Sequence, residues 1–552
     1  MFKRKGNRWP LLLFLVLSTL AVANSALDSF YHQLFLEYTT LVPAELDYLG
    51  DLTVFGVGEY RDSLRPWVPE QVAAFRQMLA EKLAWMDSAP VPQDPGEKAV
   101  FQGIQWFLQT EISWVDFAPY QAIFAPITGD PFALRELFLT RHLLQTPQDL
   151  DWFLQRLEQV PAKVEGWIDR FNASREMGIE MAKDPNRSTR YLLSEMRLKG
   201  VGNPVYRRGM QAIGQMEGLT EEQRSAYLQR LEEAVNNYLA PSFNRIDAVL
   251  LDDFPTIQKN AGAWAQPGGA EFYRFALRFH TTQLLDPEQI HELGKREVQR
   301  LAERIDELNR ELRGKSPVAS DERIEDHLPE AFEAGFLPQY MPEVKPYSAN
   351  MYITPRMDGK TKGIFYATGG VAKHDSLYFH EVVPGHHLER TSQLRREIPL
   401  ICQLTFFTGF IEGWALYAEQ LAYELLTDNK EFHELDLLQN QYLRALRLVA
   451  DTGVNYYGWT PEEAYRYLTR AGISGGLAQS EVSRYLTWPG QATAYYTGYL
   501  KLLELREKTR EAMGEDFSLK AFHRLVLEDG QLPLPILEEK IHAFLESYSE
   551  PE

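Results

Sequence analysis

The segment His374-Asp-Ser-Leu-Tyr-Phe-His380-Glu381-Val-Val-Pro384-Gly385-His386-His387-Leu388-Glu389 gathers four of the chain's 12 histidines. A zinc site of the zincin kind puts two histidines at i and i+4 on one helix face, with a glutamate at i+1 as general base. His380-Glu381 supplies the first half, but position i+4 is Pro384. The second ligand then falls to His386 at i+6 or His387 at i+7. On a straight helix His386 lies roughly 120° off the face of His380, and His387 returns to that face roughly 10 Å along the axis. Pro384 lacks an amide hydrogen and clashes with the carbonyl four residues back, that of His380. Gly385 tolerates unusual backbone angles. A bulge that absorbs two residues here would bring His386 to the place of the i+4 ligand. Spacing alone leaves both histidines open, and Glu389 reads as a solvated helix residue.

A catalytic zinc needs a third protein ligand and an open position. The next segment, Phe406-Phe-Thr-Gly-Phe-Ile-Glu412-Gly413-Trp414-Ala-Leu-Tyr417-Ala-Glu419-Gln420, reads as a largely apolar helix with two acids seven residues apart on one face. A carboxylate in such a run is costly to bury unless it is paired or bound to a metal. Glu412 is the candidate third ligand. Glu419 is expected to pair with an arginine or to lie at the rim.

Outward from this centre the chain reads mainly α. Apolar residues recur every three or four positions over 71–87, 150–174, 221–239 and 286–313, with Pro287 at a helix start. The strand-like exception is 350–368, a short hairpin with its turn at Met357-Asp-Gly-Lys360, just upstream of the histidines. The reading divides the chain into a signal peptide (1–23), an N-terminal helical lobe (24–270) and a catalytic helical lobe with the metal site (271–552).

At 552 residues, 45 % of them apolar, the chain can bury a large core. Its net charge of −20 repels phosphate backbones and argues against nucleic acid as a partner. The single cysteine, Cys402, excludes an intrachain disulfide and a cysteine-built zinc or iron–sulfur centre. Lys3, Arg4, Lys5 and Arg8, an apolar run from Leu11 and small residues at Ala21 and Ala23 have the layout of a secretory signal peptide. The alternative is an uncleaved membrane anchor. No cysteine follows the apolar run, so a lipid-anchored terminus is not expected. The mature protein is expected to be exported, periplasmic or extracellular, without stable membrane association. Its oligomeric state is not legible.

The motifs resemble the bacterial domain-of-unknown-function 885 family. His-Glu-x-x-Pro-Gly-His-His-Leu and Glu-Gly-Trp-Ala-Leu-Tyr-x-Glu carry the likeness, together with Arg447–Trp459, Arg484–Gly498 and Tyr352-Ile-Thr-Pro355-Arg-Met-Asp358-Gly359. That family is in turn similar to helical zinc metallopeptidases of the gluzincin type, the thimet-like oligopeptidases and Taq-type carboxypeptidases, with a deep cleft. Aligning their Gly-His on Gly385-His386 favours His386 over His387, which becomes an outer-shell residue or alternate ligand.

The resemblance implies one Zn2+ per chain, held by His380, His386 and Glu412, with peptides as substrates. Glu381 is the general base, and Tyr495 is the candidate to stabilise the oxyanion. The family usually has histidine where this chain has Asn455. Asparagine can donate a hydrogen bond but does not titrate, so Asn455 is at most a helper. That departure also admits a rival, a non-catalytic peptide-binding protein on the same scaffold. Tyr352 is a candidate substrate contact. Arg447 and Arg484 either bind a substrate carboxylate or form ion pairs within the scaffold.

Overall fold

A computed structural model describes residues 26–42, 48–66, 68–126, 128–253, 262–346, 350–368 and 375–549. The signal peptide expected over 1–23 lies outside the described residues, as does His374. Among the described residues no helix is long and apolar enough to cross a membrane.

The protein is mainly α-helical. Helices α1 (Ala26–Leu41), α2 (Pro69–Ser88) and α3 (Pro95–Asp116) open the chain. Next come α4 (Asp130–Glu136), α5 (Pro147–Glu176), α6 (Lys183–Leu192), α7 (Pro204–Gln215), α8 (Glu221–Ala234) and α9 (Ala240–Asp253). After α10 (Gly269–Thr281), α11 (Pro287–Glu311) and α12 (Ile324–Ala331), the strands β1 (Glu343–Pro346), β2 (Met351–Ile353) and β3 (Ile364–Ala367) form one small sheet. The site follows on α13 (Ser376–Glu381), α14 (His386–Gln393), α15 (Thr408–Leu425) and α16 (Lys430–Asn455). The chain ends with α17 (Pro461–Arg470), α18 (Gly475–Thr487), α19 (Ala494–Met513), α20 (Leu519–Leu527) and α21 (Leu534–Ser549).

Local sequence explains many helix starts. Thr146, Thr220, Asp286 and Thr460 close capping boxes ahead of α5, α8, α11 and α17, and proline opens α5, α11 and α17. The helices then sort into cores. Residues of α5 and its neighbours up to α9, such as Phe153, Trp167 and Phe243, form one core. A larger core joins Phe35 of α1, Leu79 of α2 and Phe101 of α3 to Trp414 of α15 and Leu502 of α19. The first three helices therefore pack with the C-terminal ones. The hairpin expected over 350–368 is present as β2 and β3, paired antiparallel with Tyr352 opposite Phe365. It carries one more strand, because β1 lies parallel along the other edge of β3.

Two contacts position the chemistry. Helix α11 packs along α16, and α15 packs along α19. The second crossing is made of glycine. A Cβ on Gly498 would come within 2.0 Å of the Gly409 carbonyl oxygen, and one on Gly413 within 2.6 Å of the Gly498 carbonyl carbon. Backbones can approach this closely only without side chains. The crossing brings Glu412, next to Gly413, beside Tyr495, three residues before Gly498.

Candidate metal centre

The Pro384-Gly385 pair breaks the helix rather than bulging it. Helix α13 ends at Glu381, Val382 leaves helical angles at φ −110° and ψ −96°, and α14 begins at His386. The expected in-helix bulge is thus corrected to a turn between two short helices. Pro384 offers the His380 carbonyl no N–H, and Gly385 passes so near it that a Cβ would lie 1.8 Å from that oxygen. Buried Trp414 of α15 holds the turn, its indole Nε1 donating to the Pro384 carbonyl at 3.0 Å. In Glu412-Gly413-Trp414, then, one residue reaches the site, one admits α19, and one anchors the turn.

The turn brings His386 to His380, with ring centroids 4.8 Å apart and planes at 85°. Glu412 Oε2 lies 3.4 Å from His380 Nε2 and 3.5 Å from His386 Nε2. His380, His386 and Glu412 offer ligand atoms all within 4.8 Å of one another. The carboxylate oxygen is buried and has no hydrogen-bond partner. Spacings of 3.4–3.5 Å are too long for a good hydrogen bond. These two match the edge of a tetrahedron whose ligands stand about 2.0–2.1 Å from its centre, an edge of about 3.4 Å, while the separation of the two histidine ligand atoms is bounded only by 4.8 Å. Two imidazoles and a carboxylate with an orphaned oxygen therefore fit a zinc ion.

Electrostatics bind the cluster together. Burial opposes a charge on His380, but the carboxylates of Glu412 and Glu419 outweigh it and raise the imidazole to about 9. Burial likewise pushes the Glu412 carboxyl up, and His380 and His386 overcome this and hold it well below the usual range. Glu419, expected to pair with an arginine or to sit at the rim, is buried with Oε1 2.9 Å from His380 Nδ1 and 3.7 Å from Arg444. It fixes the far side of the ring, so Nε2 faces the cluster.

The alternate ligand closes on itself. His387 is fully buried, Nε2 meeting the Tyr340 carbonyl at 2.7 Å and Nδ1 the Tyr352 hydroxyl at 2.8 Å. A carbonyl only accepts, so Nε2 carries the proton and Nδ1 accepts from Tyr352. Burial lowers His387 to about 4. Both ring nitrogens are engaged, and it is His386 that joins the cluster.

A cavity of about 310 Å³ opens over the cluster, and Glu381, Tyr495 and Tyr352 line it. Arg484 Nη2 donates to the Tyr495 hydroxyl at 2.9 Å, and the Tyr495 ring lies parallel to that of His380 with centroids 6.3 Å apart. Arg447 and Arg484 hold this ring, their guanidinium carbons 4.9 and 5.2 Å from its centroid. Both are engaged within the scaffold. Arg447 grips Glu481 through two 2.8 Å hydrogen bonds, and Arg484 is engaged by Gln491 and Tyr495.

Asn455 is not brought to the site. It is fully buried, with Oδ1 accepting from the Ala263 amide at 3.1 Å and Nδ2 donating to the Tyr485 carbonyl at 3.0 Å. Its amide ties α16 to the segment before α10 and to α18. Glu389 is also corrected. It is buried on the cavity wall, accepts from Gln531 at 3.2 Å, and is pushed up by burial against the pull of Arg390. Sequence reasoning passed over Arg390 too, although its spacing of four from His386 puts both on one helix face.

The profile of the family described as "Bacterial protein of unknown function (DUF885)" matches residues 50–333 and 319–541. No curated protein matches the chain. Two solved structures share the fold. A Colwellia psychrerythraea protein, described as a "putative lipoprotein", superposes with a TM-score of 0.87 at 23 % identity, covering 94 % of this chain and 99 % of its own. A Shewanella oneidensis protein, described likewise and as of unknown function, gives 0.68 at 15 % identity with the same coverage. With most of its length matched by the family profile, this chain belongs to the DUF885 family of bacterial proteins.

Proposed function

We propose that the chain is an exported zinc-dependent metallopeptidase that hydrolyses short peptides. The observation that carries the reading is the convergence of His380, His386 and Glu412, whose unpartnered Oε2 stands 3.4 and 3.5 Å from the two Nε2 atoms, on the wall of a cavity that Glu381 and Tyr495 share. When bound, zinc supplies Lewis acidity toward a carbonyl oxygen and lowers the pKa of a water. Glu381, directly after a ligand and half-buried on the wall, takes the proton of the attacking water and delivers it to the leaving amine. The Tyr495 oxygen already accepts from Arg484, which leaves its own proton free for the oxyanion. Glu419 keeps the His380 ring in register.

The cavity's volume lies at the small end of the roughly 300–1,000 Å³ range of ligand sites, which suits a short peptide. Export rests on the basic, apolar and small-residue order of the first 23 residues. The test is a peptide-library digest with the zinc-supplemented chain and with Glu381→Gln. Cleavage by the first and not by the second is expected. An inert wild-type chain that carries zinc would remove the enzymatic reading.

A further inference from the structure

Arg390 has no part in the chemistry above, yet it lines the same cavity. It lies four residues after His386 on α14, on the same face and about 6 Å further along the axis. The residue is only 6 % exposed. Its one side-chain hydrogen bond among the described residues runs from Nη2 to the Gln403 carbonyl at 3.1 Å. Among the described residues no carboxylate lies within ion-pair distance of it, although Glu389 feels its charge. Glu389 beside it is turned to Gln531. The other arginines near the site are engaged: Arg447 by Glu481, Arg484 by Gln491 and Tyr495, and Arg444 by Asn440 and Glu419. A guanidinium carries five donors and is always charged. None of its nitrogens is among the buried partnerless atoms, so its free donors border the cavity, where an anion can take them.

A second observation comes from the same walls. Thr354 Oγ1, Gln403 Oε1 and Gln531 Oε1 belong to cavity-lining residues and are buried without a partner. Buried polar groups are rarely left so. The Thr354 hydroxyl can donate to an anion beside Arg390, while the two amide oxygens only accept, as from a peptide N–H, and the other walls include Phe406 and Ile411. A planar anion flanked by an apolar side chain is what a peptide's last residue presents.

We propose that Arg390 anchors the C-terminal carboxylate of the substrate, so that the site works on peptides from their C-terminal end. This rests on the metallopeptidase reading above and narrows it from peptides in general to those with a free carboxyl end. The carboxylate takes the guanidinium fork, and the preceding peptide bond is directed along α14 toward His386 and Glu381.

The experiment measures binding rather than turnover. Zinc-supplemented Glu381→Gln protein is titrated calorimetrically with acetyl-Ala-Ala-Phe and with its C-terminal amide. The acid is expected to bind about 10- to 100-fold more tightly than the amide. Arg390→Met in the same background is expected to bind the two alike, and Arg390→Lys to keep part of the preference. Equal binding of acid and amide by the parent chain, or no binding of the acid, overturns the proposal without any substitution at Arg390. A folded Arg390→Met protein that keeps the full preference overturns it as well. The two readings fail separately. A chain that prefers the acid but cleaves nothing contradicts the enzyme and leaves the anchor. A chain that cleaves acid and amide alike contradicts the anchor and leaves the enzyme.

Discussion

Gly385→Ala replaces no candidate ligand, and it is expected to abolish metal binding at the candidate site. A Cβ at residue 385 would lie 1.8 Å from the His380 carbonyl oxygen, 2.4 Å from that of Phe379 and 2.5 Å from the His380 carbonyl carbon. Real Cβ atoms essentially never come closer than 3.0 Å, so the His380 oxygen must retreat by at least 1.2 Å. All three obstacles are backbone, so no side chain can swing aside. The retreat moves the end of α13 and carries the His380 imidazole away from His386. Metal–ligand distances tolerate shifts of only about 0.2 Å. The expected result is a fall in zinc affinity of at least about 100-fold, as large as outer-shell losses become. Overpacking costs about 1–3 kcal/mol, which a domain stable by about 5–15 kcal/mol survives. The assay is zinc titration against a competing chelator, with a circular-dichroism melt of each sample. Gly476→Ala is the control, since a Cβ there meets nothing within 4 Å. A Gly385→Ala protein that melts cooperatively and binds zinc like wild type would refute the reasoning.

Glu419→Gln is expected to weaken zinc binding by about 10- to 100-fold while leaving the three candidate ligands in place, because it loosens the His380 ring; unchanged affinity in the same titration would count against the orienting role. Acid unfolding, followed by urea titration at a series of pH values, should be nearly flat to about pH 4.5 and then steep. Burial holds His280 and His523 down to about 3 and His387 to about 4, so all three cost stability as pH falls below about 6.5, where the unfolded imidazoles take protons. Burial raises Asp451 and Glu111 to about 7 and pushes Glu389 up as well, so these gain stability over the same descent and offset the loss. Below about pH 4 the carboxylates are protonated in both states and the compensation ends. Glu481, held at about 2 by Arg447 against burial, then joins His280 and His523. Three protons correspond to about 4 kcal/mol per pH unit, and a steady decline from pH 7 would contradict this balance.

Periodicity was a sound guide where a helix owes its form to its own residues. The stretch 71–87 became Pro69–Ser88, and 286–313 became Pro287–Glu311 with a capping box at its start. Strand β1 was not legible, since its four exposed residues do not alternate and its pairing with β3 is parallel and non-local. At the site, the acids and histidines that converge were recognisable by order and spacing. Which of two adjacent histidines converges was settled by partners from elsewhere, Tyr340 and Tyr352 around His387. Pro384 pointed to the right carbonyl, but how far the backbone turns depends on the close pass of Gly385 and the grip of Trp414. Arg390 and Glu389 look like solvated helix residues because their burial comes from residues beyond α14, among them Gln403 and Gln531. Asn455 sat in a motif that pointed to catalysis, yet tertiary packing gave both ends of its amide to the backbone.

The central claim is that His380, His386 and Glu412 together hold a metal ion. Metal analysis of the purified chain after equilibration with zinc and removal of the excess tests it most directly, run beside His386→Ala and His387→Ala. The account predicts about one zinc per chain for wild type, close to none for His386→Ala, and measurable zinc for His387→Ala, whose ring is engaged elsewhere. A wild-type chain that holds no zinc, or a His386→Ala chain that holds as much as wild type, would contradict it.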